Sequence, residues 1–294
     1  MSVAPQALAA LRFQNLLFAT DFSLCSKVAA PYARALAVRY NSTVHVVHVL
    51  TPKPLLIGGE LGGEGVTLDT ENQQPASAQM QEFLRFANFE NVLYTQTLET
   101  GSVWETVAKL ITELLIDLVI VGTHGRSGLQ HMLLGSVAEG ILRRAACPVL
   151  TIGPKVRRNG LASGSINAIL YATDLSPASS YAFDYAAFLA RTNNARVWLV
   201  HSTETEHPDC ASAERIEQVQ HRLSLLGANA GFDYNVVVSS RPAAQMILSV
   251  SRDMKSDIIV MGAHSGQSAS THSPWTVAHR VICESWCPVL TIRS

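Results

Sequence analysis

The run Gly122-Thr123-His124-Gly125-Arg126-Ser127-Gly128, followed by Gly135-Ser136-Val137, carries the strongest chemical signal in the chain. Its spacing is Gly, two residues, Gly, nine residues, Gly-Ser. Gly122 and Gly125 can turn the backbone through positive φ and bring amides close to a ligand. Gly135-Ser136 stands where a helix should open, and free N–H groups with the positive dipole end favour an anion there. Ser136 adds a hydroxyl donor. Together these groups would cradle a polyphosphate. Asp21 ends an apolar run and offers a carboxylate that can accept from ribose hydroxyls. It reads also as the N-cap of the following helix, a role that Ser23 could take instead. Arg126 is placed either to reach a phosphate or to face solvent.

The elements that must position these residues occur twice. Leu17-Phe18-Ala19-Thr20-Asp21-Phe22-Ser23 returns as Leu170-Tyr171-Ala172-Thr173-Asp174-Leu175-Ser176, and His48 returns as His201. Asp117-Leu118-Val119-Ile120-Val121-Gly122-Thr123-His124 returns as Asp257-Ile258-Ile259-Val260-Met261-Gly262-Ala263-His264. Cys147-Pro148-Val149-Leu150-Thr151-Ile152 returns unchanged as Cys287 to Ile292. Self-similarity on this scale divides the chain into residues 1–153 and 165–294, joined by a Gly-rich, basic linker at 154–164. The linker's positive charges read as a solvated face. In the first copy, strands are expected at about 13–19, 43–49, 92–97, 118–122 and 148–152, and helices at about 26–40, 76–90, 102–116 and 136–146. Near-continuous apolar strands separated by helices indicate an α/β fold, two tandem doubly wound domains each with a five-stranded parallel sheet. The switch point of such a sheet brings the ends of strands one and four together, which would set Asp21 beside Gly122. Thr51 to Gln74 holds two prolines and five glycines and reads as a long loop leaving the ligand-binding edge.

On these residues the chain resembles the ATP-binding branch of the universal stress protein family. The resemblance rests on Gly122-x₂-Gly125-x₉-Gly135-Ser136, on Ala19-Thr20-Asp21 and on the closing Cys147-Pro148-Val149-Leu150, and it spans both copies. It implies strand order 3-2-1-4-5 in each copy. It further implies that Asp21 contacts ribose, that Val49 lies against adenine beside Ala19, Thr20 and Val121, and that Gly122, Gly125, Gly135, Ser136 and Val137 hold the phosphates. The family pairs the last strand of each sheet with a neighbour. Here the two identical edges, Cys147–Ile152 and Cys287–Ile292, are expected to pair within one chain as a pseudo-two-fold unit, because an open apolar edge invites aggregation.

The second copy departs from the pattern. Ser265 replaces Gly125, Trp275 replaces Gly135 and Thr276 replaces Ser136. The indole would fill space that a phosphate needs, and Ser273-Pro274 suggests a shifted helix start. This copy reads as degenerate. His124 and His264 persist in both copies although only one keeps the glycines, which favours a structural role over catalysis. His264, His272, His279 and Cys283 match no metal-ligand spacing.

Composition narrows the classes further. The chain has 294 residues, 48% hydrophobic and 15% charged, a balance opposite to that of disorder. A net charge of −1 gives no global field for nucleic acid. No apolar run is long enough for a bilayer. An odd count of five cysteines without a Cys-x-x-Cys pair fits a reducing cytoplasm. No P-loop, zinc-protease or nucleophile-elbow motif occurs, and no carboxylate pair stands beside the glycine loop. The expected protein is therefore an ATP-binding stress-response or signalling protein with ATP, alone or with Mg²⁺, as a regulatory ligand. It has no catalytic or metal residues, and its partners are a second copy or an unidentified protein. The alternatives are a slow ATPase or adenylating enzyme, and a ligand-free interaction module.

Overall fold

The computed structural model describes residues 11–51, 73–123, 134–157, 160–204, 213–263 and 276–293. The first copy runs β1 (Asn15–Ala19), α1 (Leu24–Tyr40), β2 (Thr43–Leu50), α2 (Gln73–Ala87), β3 (Leu93–Thr100), α3 (Val103–Glu113), β4 (Leu118–Gly122), α4 (Ser136–Arg144) and β5 (Val149–Ile152). The second runs β6 (Ala168–Ala172), α5 (Pro177–Asn193), β7 (Arg196–Ser202), α6 (Ala213–Ala230), β8 (Tyr234–Ser239), α7 (Ala243–Asp253), β9 (Ile258–Ala263), α8 (Thr276–Glu284) and β10 (Val289–Arg293).

All ten strands form one sheet of order β3-β2-β1-β4-β5-β10-β9-β6-β7-β8. Each half thus has order 3-2-1-4-5 and is parallel throughout. The halves join antiparallel at β5 and β10, with Leu150 opposite Leu290. This is the edge-to-edge pairing expected of the two identical segments. Thr151 Oγ1 donates to the Val289 carbonyl and Thr291 Oγ1 to the Val149 carbonyl, at 3.1 and 3.2 Å. The reciprocity is that of a pseudo-two-fold axis through the junction.

Alternation along each strand builds two cores. Leu16 and Phe18 belong to one core, shared with residues of α1, α2, α5 and α6, while Leu17 and Ala19 belong to the other, shared with residues of α3, α4, α7 and α8. Phe13, Tyr40, Tyr185 and Phe188 cluster across the two halves in stacked and edge-to-face pairs, with ring centroids 5.4–6.2 Å apart. The joining segment is half strap, half surface. Lys155 and Arg157 are exposed, but Val156 and Leu161 are buried in the shared core. Tyr32 Oη donates to the Arg157 carbonyl at 2.7 Å, and the Arg157 guanidinium lies 4.7 Å from the centre of the Trp286 ring.

Asp117 Oδ2 accepts from the amides of Gln14 and Asn15, and Asp257 Oδ2 from those of Asn167 and Ala168. The repeated aspartate thus ties the start of the fourth strand to the first in each half. Three helices of the first half end earlier than periodicity indicates, α2 at Ala87, α3 at Glu113 and α4 at Arg144. Leu115 takes φ 49°, and its counterpart Lys255 φ 50°, stopping α3 and α7. Asn88 takes φ 47° and stops α2 at Ala87, a left-handed exit that asparagine tolerates. At its other end α2 begins at Gln73, inside the stretch read as loop, whose residues 52–72 lie outside the described residues. Among the described residues, no helix is long and apolar enough to cross a membrane.

Candidate functional site

The carboxyl ends of β2, β1 and β4 enclose a cavity of about 240 Å³, at the point where the chain winds away from β1 in both directions. Ala19, Thr20, Asp21, Val49, Val121, Gly122, Gly135, Ser136 and Val137 all line it. The structure thus brings together nine of the residues singled out by sequence. Gly125 and Arg126, with His124 and His264, lie outside the described residues.

Asp21 is fixed by the turn between β1 and α1. Thr20 Oγ1 accepts from the Phe22 amide at 3.0 Å, and Asp21 Oδ1 accepts from the Ser23 amide at 3.0 Å and from Ser26 Oγ at 2.7 Å. These bonds hold Phe22 at φ 63°, a conformation that costs a bulky residue energy. Leu175 repeats it at φ 64°, with Thr173 and Asp174 making the matching bonds. Ser23, not Asp21, caps α1 by accepting from the Ser26 amide. Burial pushes the Asp21 carboxyl up, but bonds from Ser23 and Ser26 outweigh it and leave the group below its ordinary value of 3.8. A half-buried, ionised acceptor therefore faces the cavity.

Gly122 has a different role from the one its type suggests. Its φ is not positive, so it is no left-handed turn. A Cβ there would sit 3.0 Å from the Cys25 carbonyl carbon and 3.2 Å from Cys25 Cβ. The glycine lets the end of β4 approach the first turn of α1. Beyond it, Thr123 donates its amide to the Ile152 carbonyl and accepts from the Gly135 amide at 2.8 Å. That bond anchors the start of α4 at the cavity.

Gly135 is the N-cap of α4, with φ −61° and ψ 144° and no side chain to cap with. Ser23, Ser102 and Ser176 each cap their helices with a hydroxyl. The N–H groups of Ser136, Val137 and Ala138 have no intrahelical acceptor. They face the cavity mouth together with the dipole's positive end. No lysine or arginine is among the described lining residues. The described part of the site therefore attracts anions through backbone rather than side-chain charge.

The opposite wall is apolar. Val47, Val49 and Val121 come from the strands, and Val103 and Val107 from α3. Sequence reasoning missed the α3 valines, although their spacing of four on one helix face was a usable signal. It also missed Ser26 as the anchor of Asp21. His48, noted only as a repeated residue, lines the cavity and donates from Nδ1 to the Thr20 carbonyl at 2.7 Å. Its ring packs on Phe22 with centroids 4.3 Å apart. His201 bonds Thr173 in the same way at 2.8 Å. Among the described residues no cluster of His, Cys, Asp or Glu forms a metal site, and no disulfide joins Cys25, Cys147, Cys283 or Cys287. Burial pushes the thiols of Cys147 and Cys287 up to about 12.

A doubly wound sheet duplicated in tandem, with an anion-attracting helix start at its switch point, defines a class. Residues 12–153 and residues 165–293 each match the universal stress protein family. The chain belongs to that family, with two such units in tandem. It is similar to universal stress protein A homolog 1 of Coxiella burnetii, 34% identical over 146 residues that cover 49% of this chain and 99% of the relative. A universal stress protein of Methanocaldococcus jannaschii is 27% identical over 141 residues, 48% of this chain and 82% of that protein. The crystal structure of a universal stress protein from Archaeoglobus fulgidus matches the fold across both halves. Its TM-score is 0.72 at 18% identity, covering 95% of this chain and 98% of that one.

Proposed function

We propose that this chain is a cytoplasmic stress-response or signalling protein that binds ATP in its N-terminal half, residues 1–153, as a regulatory ligand. The observation that carries the proposal is the uncapped start of α4, anchored by the Thr123–Gly135 bond and opposed across one cavity by the ionised Asp21. Asp21 accepts from the ribose hydroxyls. Val49, Val121 and the α3 valines cover the base. Gly135, Ser136 and Val137, with Gly125 and Arg126 of the glycine loop, take the phosphates. Mg²⁺ bound with ATP would neutralise phosphate charge, and among the described residues no cluster of His, Cys, Asp or Glu stands ready to hold it. ATP is read as signal rather than fuel, because the titratable groups that line the described cavity, Asp21 and His48, are engaged by Ser23, Ser26 and the Thr20 carbonyl. The half from 165 to 294 is architectural and completes the sheet.

Mass spectrometry of the small molecules carried through purification tests the ligand, and calorimetry tests the count. One tight ATP per chain is expected. Two equivalent sites, or no heat with ATP at all, would overturn the proposal.

A further inference from the structure

Two cations share one indole between the end of α8 and the start of β10. The Arg157 guanidinium lies 4.7 Å from the centre of the Trp286 ring, and the Arg252 guanidinium 5.2 Å. Arg157 comes from the joining segment, and its amide donates to the Trp286 carbonyl at 3.3 Å. Arg252 comes from the last turn of α7. Both arginines are exposed. The first half has no equivalent, since by the offset of the repeat Ala146 stands in place of Trp286 and Thr112 in place of Arg252.

Neither guanidinium is neutralised among the described residues. The ion pairs there join Arg143 to Glu139, Arg196 to Asp233 and Arg280 to Glu284. Glu284 on the neighbouring helix is therefore engaged, and Asp253, beside Arg252 in sequence, pairs with no cation. Asp257 accepts from the amides of Gly160, Asn167 and Ala168. Lys155 and Lys255, both exposed, add positive charge on the same two segments. The indole Nε1–H is buried and has no acceptor among the described residues. A buried donor of that kind calls for an oxygen.

Two cations on one ring stand within about 10 Å of each other, so their fields add before salt screens them. A guanidinium held over an aromatic face keeps its N–H edges for other acceptors. A monocarboxylate satisfies one such fork. A phosphate dianion brings the charge and the oxygens for two, and it relieves the repulsion between them. We propose that Arg157, Arg252 and the Trp286 indole form a second anion site, one that takes a small phosphate-type dianion. Because β5 and β10 run antiparallel, the amino end of β10 lies on the same edge of the sheet as the carboxyl ends of β1, β2 and β4. The site thus shares an edge with the cavity of the first half, about 15 Å along the sheet from β1 at the usual strand spacing. It also joins the two halves, since Arg157 belongs to the segment between them.

NMR of the indole N–H groups in the full-length chain, titrated with pyrophosphate at constant ionic strength, tests this. Trp286→Phe assigns the Trp286 signal. That signal should shift and saturate with pyrophosphate, and should not move with acetate. Arg157→Gln and Arg252→Gln should each weaken pyrophosphate about tenfold, and the double variant should abolish saturation. Both side chains are exposed, so the melting temperature of each variant should stay native. Lys109→Gln, which removes an exposed charge from α3, should leave the titration unchanged. A Trp286 signal that does not saturate, an equal shift with acetate, undiminished affinity in R157Q/R252Q, or an equal loss with K109Q would each overturn the proposal.

Discussion

The Ser26 hydroxyl donates to Asp21 Oδ1 at 2.7 Å, and its counterpart Ser179 does otherwise, donating to the Ser176 carbonyl at 2.9 Å and accepting from Thr173 Oγ1 at 2.8 Å. The two halves share one turn and differ in where one hydroxyl points. In the first half that hydroxyl orients a half-buried carboxylate toward the cavity, whereas Asp174 is exposed. Ser26→Ala should therefore weaken ATP binding about tenfold, a hydrogen bond to a charged group contributing roughly 1.5 kcal/mol. Ser179→Ala should leave ATP binding unchanged. Calorimetry on the two variants checks this, and equal effects would show that Ser26 does not position the ribose acceptor. Because the Asp21 carboxyl lies below 3.8 when folded, its contribution to stability is present above that value. It is lost only as the pH falls through the still lower folded value. ATP affinity should accordingly not fall through Asp21 between neutral pH and about pH 5.

Gly135→Trp reproduces in the first half the residue that the second half carries at position 275. The Gly135 backbone lies at φ −61° and ψ 144°, which any residue adopts, so the exchange carries no backbone strain. The indole would occupy the mouth of the cavity in front of the Ser136 and Val137 amides. ATP binding should be lost while the melting temperature changes by no more than a few degrees. Retained affinity would show that the phosphates do not lie against α4.

The repeat made most of this fold legible. Segments such as Leu17–Ser23 and Asp117–His124 carry their strand, turn and tie residues in order, and a parallel α/β unit leaves few alternatives for connecting them. Nine site residues share one cavity because strand ends converge at a switch point whatever the side chains. What stayed hidden is tertiary. Nothing local says that Gly122 is small because a Cβ there would lie 3.0 Å from the backbone of Cys25 in another element. Nothing local stops α3 at Glu113 either, since Leu114, Leu115 and Ile116 continue the apolar pattern. The left-handed Leu115 at φ 49° is imposed by the return to β4. The joining segment looked like plain linker because Val156 and Leu161 are spaced without period, yet each enters the shared core.

His45 gives the fold a pH dependence of its own. It is buried on β2, with Nδ1 bonded to Thr95 Oγ1 at 2.8 Å and Nε2 buried without a partner. Burial lowers its pKa from the usual 6.5. The unfolded chain then binds a proton that the folded one resists, so stability is full above about 6.5 and declines as the pH falls below it. Urea titrations at pH 8 and pH 5.5 should show a lower midpoint at the acid value. His45→Gln should remove part of that difference. An unchanged pH difference in the variant would place the acid sensitivity elsewhere.

Gly122→Ala tests the packing that closes the site. The added methyl would meet the carbonyl carbon of Cys25 at 3.0 Å, and its oxygen and Cβ at 3.2 Å. Two of these three atoms are backbone in the first turn of α1, so no side-chain rotation relieves the contact. Either β4 or α1 must move. Overpacking of this kind costs about 1–3 kcal/mol. The movement also separates the two walls of the cavity, because α1 carries Ser26 and the end of β4 leads through Thr123 to the start of α4. Stability and ATP affinity should therefore fall together. Cys25→Ala should not rescue the variant, since it leaves the backbone contact in place. If G122A keeps native stability while losing ATP, the methyl is meeting the ligand instead, and Gly122 belongs to the phosphate cradle directly.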